Sequence, residues 1–241
     1  MNLEVNLPIL AELLEQVQIV LGKEFVGLYL HGSLALGDFD LVKSDIDFAV
    51  VTGNHLEAEM ISKLKTLHEK LLEVHPETAS MLEGAYIPSS MVRCHDFRAP
   101  AIPHVHGDAF YLAQLESHWV LNRAILRESG ITLAGPTPNS LIDPISLEDR
   151  QSAVRDFLHE WWQPMLTDST RLEDGEYRVY TVQTMARSLC TLETGELLSK
   201  PRAIRWALEQ LPGEWHETVR SRQPTMIQTT GILEYAIRVA L

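Results

Sequence analysis

Four residues near the N-terminus have the types and the spacing to bind a phosphorylated ligand. Gly32 and Ser33 follow an apolar run, and Asp45 and Asp47 stand one residue apart at the head of the next apolar run. A glycine lets the backbone approach a ligand closely, and a serine at a helix start adds a hydroxyl beside free N–H groups. Carboxylate oxygens are the ligands that Mg²⁺ prefers. The pattern therefore predicts a magnesium-phosphate site.

Two neighbouring strands are expected to position these residues. Residues 25–30 form a continuous apolar run typical of a buried strand, a short helix is expected at Ser33, and residues 45–51 form the next strand. Alternate side chains of a strand point to the same face, so the two aspartates are expected to project together. A lone Gly-Ser or Asp-x-Asp is usually an ordinary turn or strand end, and only their succession on consecutive strands is specific.

The remaining pattern predicts an α/β domain at residues 1–145 and a helical bundle at residues 146–241. A Pro-rich stretch, residues 131–146, is the expected linker, and residues 91–107 are expected to be irregular. The third strand is expected at residues 81–87. Helical spacing of apolar residues predicts helices over 8–22, 55–74, 108–129, 147–162, 176–194, 201–211 and 224–240.

Charge and composition narrow the possible partners. The 241-residue chain has a net charge of −13, and residues 1–150 alone hold 21 acidic and 10 basic residues. Such an acidic chain is poorly suited to a nucleic-acid backbone and would attract a cationic small molecule, but solubility is the simpler explanation of the charge. No apolar run approaches the ~20 residues of a membrane helix. With two cysteines and no basic, secretory-type N-terminus, we expect a cytoplasmic protein, without membrane association and monomeric.

Strand-Gly-Ser followed by Asp-Ile-Asp resembles the signature of the polymerase-β-like nucleotidyltransferase superfamily. A longer resemblance, to the aminoglycoside (3'')(9)-adenylyltransferases, is carried by three segments: LYLHGSLALGDFDLVKSDIDFAVV, AGPTPNSLIDPIS and LETGELLSKPRAIRWALEQLP. The resemblance implies a nucleotidyltransferase domain with a mixed sheet, followed by an all-helical domain. It further implies magnesium-dependent transfer of AMP from ATP to a hydroxyl of streptomycin or spectinomycin, with release of pyrophosphate.

The resemblance assigns roles to the residues of the first domain. Asp45 and Asp47 would bind magnesium with the ATP phosphates, and Gly32 and Ser33 would contact the triphosphate. Glu83, on the third predicted strand, falls where the family has its catalytic base. An acid within an otherwise apolar strand supports this role, while an open face of an edge strand is the alternative. Glu83 could serve as base, as metal ligand, or as both.

In the second domain the resemblance implies that Arg187 and Lys200 bind nucleotide phosphates, against the alternative of a solvated helix face. The family recognises streptomycin with a tryptophan and acids near its start, which would make Trp162 and Asp168 acceptor contacts. Extra residues precede Arg187 here, and Tyr177 falls where the family has an acid. Paired tryptophans such as Trp161 and Trp162 are also typical of a core.

Alternatives to these expectations exist for one cluster and for the function. His104, His106 and Asp108 have the spacing of metal ligands on a strand, but the surrounding prolines favour a loop. The same fold could transfer a nucleotide to a protein, to RNA or to another small molecule. It could also bind nucleotides without catalysis, although a binding module has no need for Glu83.

Overall fold

The computed structural model describes residues 7–41, 44–94 and 98–241. Contacts divide the chain into two compact units, one of Met1–Glu116 with Asn122–Pro144 and the other of Ser117–Leu121 with Ile145–Leu241. No helix in the described ranges combines the length and the apolar character that a bilayer crossing requires.

The first unit is built on a six-stranded mixed sheet, which confirms the predicted fold class. Its strands are β1 (Phe25–Leu30), β2 (Ile46–Thr52), β3 (Leu82–Pro88), β4 (Ile102–His106), β5 (Ala109–Ala113) and β6 (Ile131–Ala134). Their order across the sheet is β5-β4-β3-β2-β1-β6. Strands β2 and β3 run parallel, and the other neighbouring pairs are antiparallel.

Helices precede, connect or follow these strands, and two of them cover one face of the sheet. The helices are α1 (Pro8–Leu21), α2 (Gly32–Leu36), α3 (Ala58–Val74), α4 (Pro76–Ala79), α5 (Ser89–Arg93), α6 (Trp119–Ser129) and α7 (Pro138–Leu141). Leucines of α1 and α3 at helical spacing pack on alternate residues of the strands, among them Ile46, Phe48 and Val50 of β2. Because strand residues alternate between faces, Asp47 points to the face opposite this core.

The hairpin of β4 and β5 corrects two expectations, an irregular segment over 91–107 and a helix starting at residue 108. Gly107 and Asp108 form a two-residue turn between the paired residues His106 and Ala109. Gly107 has φ +58°, which a turn of this kind requires and which favours glycine. Pro103 is tolerated because it lies outside the three residues of β4 that pair with β3. Residues 95–97 of this segment lie outside the described residues.

Two element boundaries also differ from those expected. Residues 131–134, expected to be linker, form the edge strand β6 and pair with β1, because their apolar residues continue the sheet. Strand β2 begins at Ile46 rather than at Asp45. Alternation along the strand therefore fixes the side of the sheet to which Asp47 points, but not that of Asp45.

The second unit is helical, as expected. Its helices are α8 (Leu147–Phe157), α9 (Gly175–Thr194), α10 (Lys200–Gln210), α11 (His216–Arg220) and α12 (Met226–Ala240). Ser146 and Asp149 form a capping box that fixes the start of α8. Helix α9 packs against α8, α10 and α12, with apolar residues such as Met185 and Leu189 in the shared core.

Candidate active site

The register of β2 and β3 places two carboxylates side by side. Asp47 lies directly opposite Glu83 in the parallel pair. Their neighbours Ile46 and Leu82 belong to the buried core, so both acids project from the other face, where each is half-buried. Adjacent strands lie about 4.8 Å apart, so the two side chains are close neighbours. The structure thus brings together the two acids that the sequence placed on separate predicted strands.

Gly32 lies directly against Asp47. A Cβ built on Gly32 would stand 1.8 Å from Asp47 Oδ2 and 2.5 Å from its Cγ, and the residue has φ +54°. The neighbouring His31 backbone N–H donates to the Asp47 carbonyl oxygen at 3.0 Å. Only glycine meets both the backbone conformation and the close approach. Ser33, half-buried in the first turn of α2, follows directly and is therefore carried to the same end of β2.

Asp45 is exposed and stands immediately before β2, two residues from Asp47. In the described ranges, no group of three or more His, Cys, Asp and Glu side chains is arranged to hold a metal ion. The site therefore offers an adjacent carboxylate pair, not a preformed cage. Magnesium is commonly held by one or two carboxylates together with substrate phosphates, so these hard oxygen donors fit it.

On its other side Glu83 faces β4. Its partner in the antiparallel register is His106, whose Nδ1 lies 3.6 Å from Glu83 Oε2. His104, two residues earlier, is buried and stacks on Tyr111 with ring centroids 5.5 Å apart. Burial raises the pKa of Tyr111, and the charges of Glu83 and Glu116 raise it further.

The paired histidines therefore lie on a strand, which corrects the expectation of a loop around His104 and His106. His104 is buried while most of the His106 side chain is exposed. Together with Asp108 they form no metal-binding group among the described residues. The contact of His106 with Glu83 was not anticipated. The sequence feature that points to this contact is the Gly107-Asp108 pair, a typical two-residue turn. It sets the register of the hairpin.

The two predicted phosphate-binding cations lie in the second unit, near the connection from α9 to α10. Arg187 Nε donates to the Leu198 carbonyl oxygen at 3.0 Å. Lys200 begins α10, and its Nζ lies 5.1 Å from the ring centroid of Tyr180. Tyr180 and Arg187 are seven residues apart, about two turns, so they share one face of α9. Both cations therefore belong to the same side of this unit.

Trp162 and Asp168, the two predicted acceptor contacts, differ in exposure: Trp162 is buried and Asp168 is exposed. Trp162 has no exposed surface and packs edge-on against Phe157 in the core of the second unit, so its predicted contact with an acceptor is not retained. Asp168 is exposed and accepts hydrogen bonds from the backbone N–H and the hydroxyl of Thr170. The hydroxyl, and next the backbone N–H, lower the pKa of Asp168. These bonds give Asp168 a local turn-forming role.

Comparison with known families finds two models along the chain. A nucleotidyltransferase domain matches residues 12–96, which include the carboxylate pair and Gly32. The C-terminal domain of aminoglycoside adenylyltransferases matches residues 140–228, which include Arg187 and Lys200.

Individual proteins agree with these families. Spectinomycin 9-adenylyltransferases of Staphylococcus aureus are 28% identical to the chain over 215 residues, covering 83% of the chain and 77% of the relative. A similar fold is found in the crystal structure of spectinomycin adenyltransferase AAD(9) from Enterococcus faecialis with ATP and spectinomycin. The alignment covers 97% of this chain and 98% of the AAD(9) chain. Its TM-score is 0.70 and its sequence identity 17%, which shows a shared fold. The chain is therefore an adenylyltransferase, and its two domains match a nucleotidyltransferase domain and the C-terminal domain of aminoglycoside adenylyltransferases.

Proposed function

We propose that the enzyme transfers AMP from ATP to a hydroxyl of an aminoglycoside-type antibiotic, spectinomycin or streptomycin, and releases pyrophosphate. The observation that carries the proposal is the direct pairing of Asp47 with Glu83, with Gly32 packed against the Asp47 carboxylate. The match to spectinomycin 9-adenylyltransferases over most of the chain supports the acceptor class.

In the proposed reaction the acceptor oxygen attacks the α-phosphorus of ATP in line. A bond forms between that oxygen and phosphorus, and the bond from phosphorus to the bridging oxygen of the β-phosphate breaks. Glu83 takes the proton of the hydroxyl, and pyrophosphate leaves. Placing the carboxylate within hydrogen-bond reach of the hydroxyl, roughly 2.6–3.2 Å, is the main requirement of a general base.

The other residues of the first unit are proposed to bind ATP. Asp45 and Asp47 would hold Mg²⁺, which when bound neutralises phosphate charge during phosphoryl transfer. Glu83 is a possible additional ligand. The missing side chain of Gly32 leaves its backbone accessible, and the Ser33 hydroxyl is proposed to donate to the triphosphate.

Arg187 and Lys200 are proposed to bind nucleotide phosphates. A guanidinium and an ammonium group form strong, charge-assisted hydrogen bonds with phosphate oxygens. Arg187 is held by its hydrogen bond to the Leu198 carbonyl oxygen, and Lys200 by its contact with the Tyr180 ring. Because both side chains are already oriented, binding a phosphate would cost them less conformational entropy. Asp168 stays a proposed acceptor contact, because an exposed carboxylate suits a cationic ligand.

We also propose that residues 1–145 and 146–241 form the two domains of a monomeric, cytoplasmic enzyme. ATP and magnesium are abundant in the cytoplasm, which supports this location. Sedimentation velocity with and without ATP measures the oligomeric state. A stable dimer at micromolar concentration would contradict the monomer.

Pyrophosphate release from ATP tests the proposed function. The wild-type enzyme is assayed with spectinomycin, with streptomycin and without an acceptor, always with Mg²⁺, and the adenylylated product is identified by mass spectrometry. Asp47→Asn is the blank, because it keeps the shape of the side chain and removes its charge. We expect acceptor-dependent release by the wild type only. Transfer of AMP to a protein or RNA instead, or ATP binding without transfer, would overturn the proposal.

A further inference from the structure

A row of three polar side chains crosses the sheet at the carboxylate pair. Asp47 on β2 lies opposite Glu83 on β3, and Glu83 lies opposite His106 on β4. Residues directly opposite each other on neighbouring strands project from the same face. Glu83 therefore has the proposed magnesium ligand Asp47 on one side and an imidazole on the other.

The backbone holds His106 firmly in this row. The Gly107 N–H donates to the Leu82 carbonyl oxygen at 2.9 Å, which fastens the end of the β4–β5 hairpin beside Glu83. A Cβ on Gly107 would lie 3.1 Å from the Ser80 carbonyl oxygen, and the residue has a positive φ. The turn thus fixes the place of His106, although 66% of its side chain is exposed.

The chemistry of the contact defines its direction. A carboxylate can only accept a hydrogen bond, so the nitrogen that faces it must carry the hydrogen. His106 Nδ1 faces Glu83 Oε2 at 3.6 Å, longer than a hydrogen bond. Catalytic contacts that are long without substrate commonly tighten once substrate is bound. An N–H donated from Nδ1 to Oε2 would make Oε1 the carboxylate oxygen that is turned towards the acceptor hydroxyl.

We propose that His106 is a positioning residue, which holds the Glu83 carboxylate in the orientation that accepts the acceptor proton. Glu83 is half-exposed and has three rotatable side-chain bonds, so its carboxylate can take several orientations, and the His106 Nδ1 that faces Oε2 favours the one that reaches the hydroxyl. The inference rests on the proposed function, in which Glu83 is the base.

Two substitutions separate the donor from the ring. His106→Asn keeps an amide N–H close to the place of Nδ1, whereas His106→Phe keeps a planar ring and removes the donor. His55→Phe, at an exposed histidine of the same unit outside this row, is the matched control. Thermal unfolding of each variant shows whether the fold is kept, which we expect for an exposed side chain.

Steady-state kinetics with ATP, Mg²⁺ and spectinomycin give the expected pattern. For His106→Phe we expect kcat to fall about 10- to 100-fold, as for other residues that orient a reacting group. The KM values for ATP and for spectinomycin should stay near wild type, because the proposal has His106 act on Glu83 and not on either ligand. His106→Asn should recover most of the lost kcat, and His55→Phe should match the wild type.

A double-mutant cycle with Glu83→Gln isolates the route of the effect. If His106 acts through Glu83, adding His106→Phe to Glu83→Gln lowers the residual single-turnover rate no further. The inference is overturned if His106→Phe keeps wild-type kcat, if it raises only KM, if His106→Asn is no better, or if the effect persists without Glu83. Full turnover by Glu83→Gln alone would instead overturn the base assignment of the proposed function.

Discussion

Gly32 has a left-handed backbone conformation and lies in close contact with the Asp47 carboxylate. A side chain there would collide with the Asp47 carboxylate and would also require a left-handed backbone. A nearby glycine separates these two effects. Gly37 has φ +75° but open space around the position of a Cβ.

Gly32→Ala should therefore lose far more activity than Gly37→Ala. Both substitutions carry the cost of a left-handed backbone, about 1 kcal/mol, which lowers the free energy of unfolding. Only Gly32→Ala also displaces Asp47, and we expect at least a roughly 100-fold loss of kcat/KM for ATP, in line with displacement of a catalytic group by about 1 Å. Urea unfolding and steady-state kinetics measure the two effects. Equal losses of activity would contradict the role of Gly32.

At this scale the sequence predicted the acids and the glycine but not their partners. Asp45 and Asp47 could be identified from residue type and spacing, whereas Glu83 was assigned by the family resemblance, which its place in an otherwise apolar strand supported. The contact of His106 with Glu83 depends on the register of a hairpin whose apolar residues also fitted a helical spacing. Trp162 was predicted to contact the acceptor but is buried. Its burial depends on tertiary packing, which a pair of tryptophans in the sequence does not specify.

Between α3 and the sheet, a buried hydrogen bond joins His68 of α3 to Tyr86 of β3. His68 Nε2 lies 2.7 Å from the Tyr86 hydroxyl, and the imidazole stacks on Phe48. Burial lowers the pKa of His68 to about 4. It also raises the pKa of Tyr86, so that both side chains are neutral across the physiological range.

Acid should therefore weaken the first unit through His68. The unfolded chain binds a proton at His68 near pH 6.5, but the folded chain binds it only near pH 4, so the stabilising contribution is complete above pH 6.5 and falls as the pH drops towards 4. The loss is about 1.4 kcal/mol per pH unit over this window. Urea unfolding between pH 7 and 4 measures the slope.

His68→Phe with Tyr86→Phe is the matched variant, because it removes the titrating group without leaving a hydroxyl unpaired. Its stability should change less steeply with pH than that of the wild type. The carboxylates that titrate in the same window are common to both proteins and cancel in the comparison. Parallel pH profiles for the two proteins would contradict the assignment to His68.

Whether the sequence could predict an element depended on how unambiguous its pattern was. Helices α1 and α3 and strands β1 to β3 have either a clear helical spacing or a short apolar run bounded by turn residues. Strands β4, β5 and β6 are short and rich in proline, histidine or small residues. Their structure is decided by pairing, of β4 with β3, of β5 with β4 and of β6 with β1, and local sequence does not encode that pairing.

The charge of the whole molecule should assist the capture of a cationic acceptor. With a net charge of −13, the enzyme should attract a streptomycin cation by long-range electrostatic attraction, and added salt weakens that attraction. We expect kcat/KM for the acceptor to fall several-fold between about 20 mM and 300 mM salt at constant free Mg²⁺, while kcat changes little. An unchanged or rising kcat/KM would indicate that the charge serves solubility alone.

The base assigned to Glu83 is the central claim, and Glu83→Gln tests it most directly. The substitution keeps the size of the side chain and removes its ability to accept the proton. Calorimetry should show wild-type affinity for ATP and for spectinomycin, while single-turnover AMP transfer falls about 10²- to 10⁴-fold. Transfer at the wild-type rate under saturating substrates would contradict the assignment.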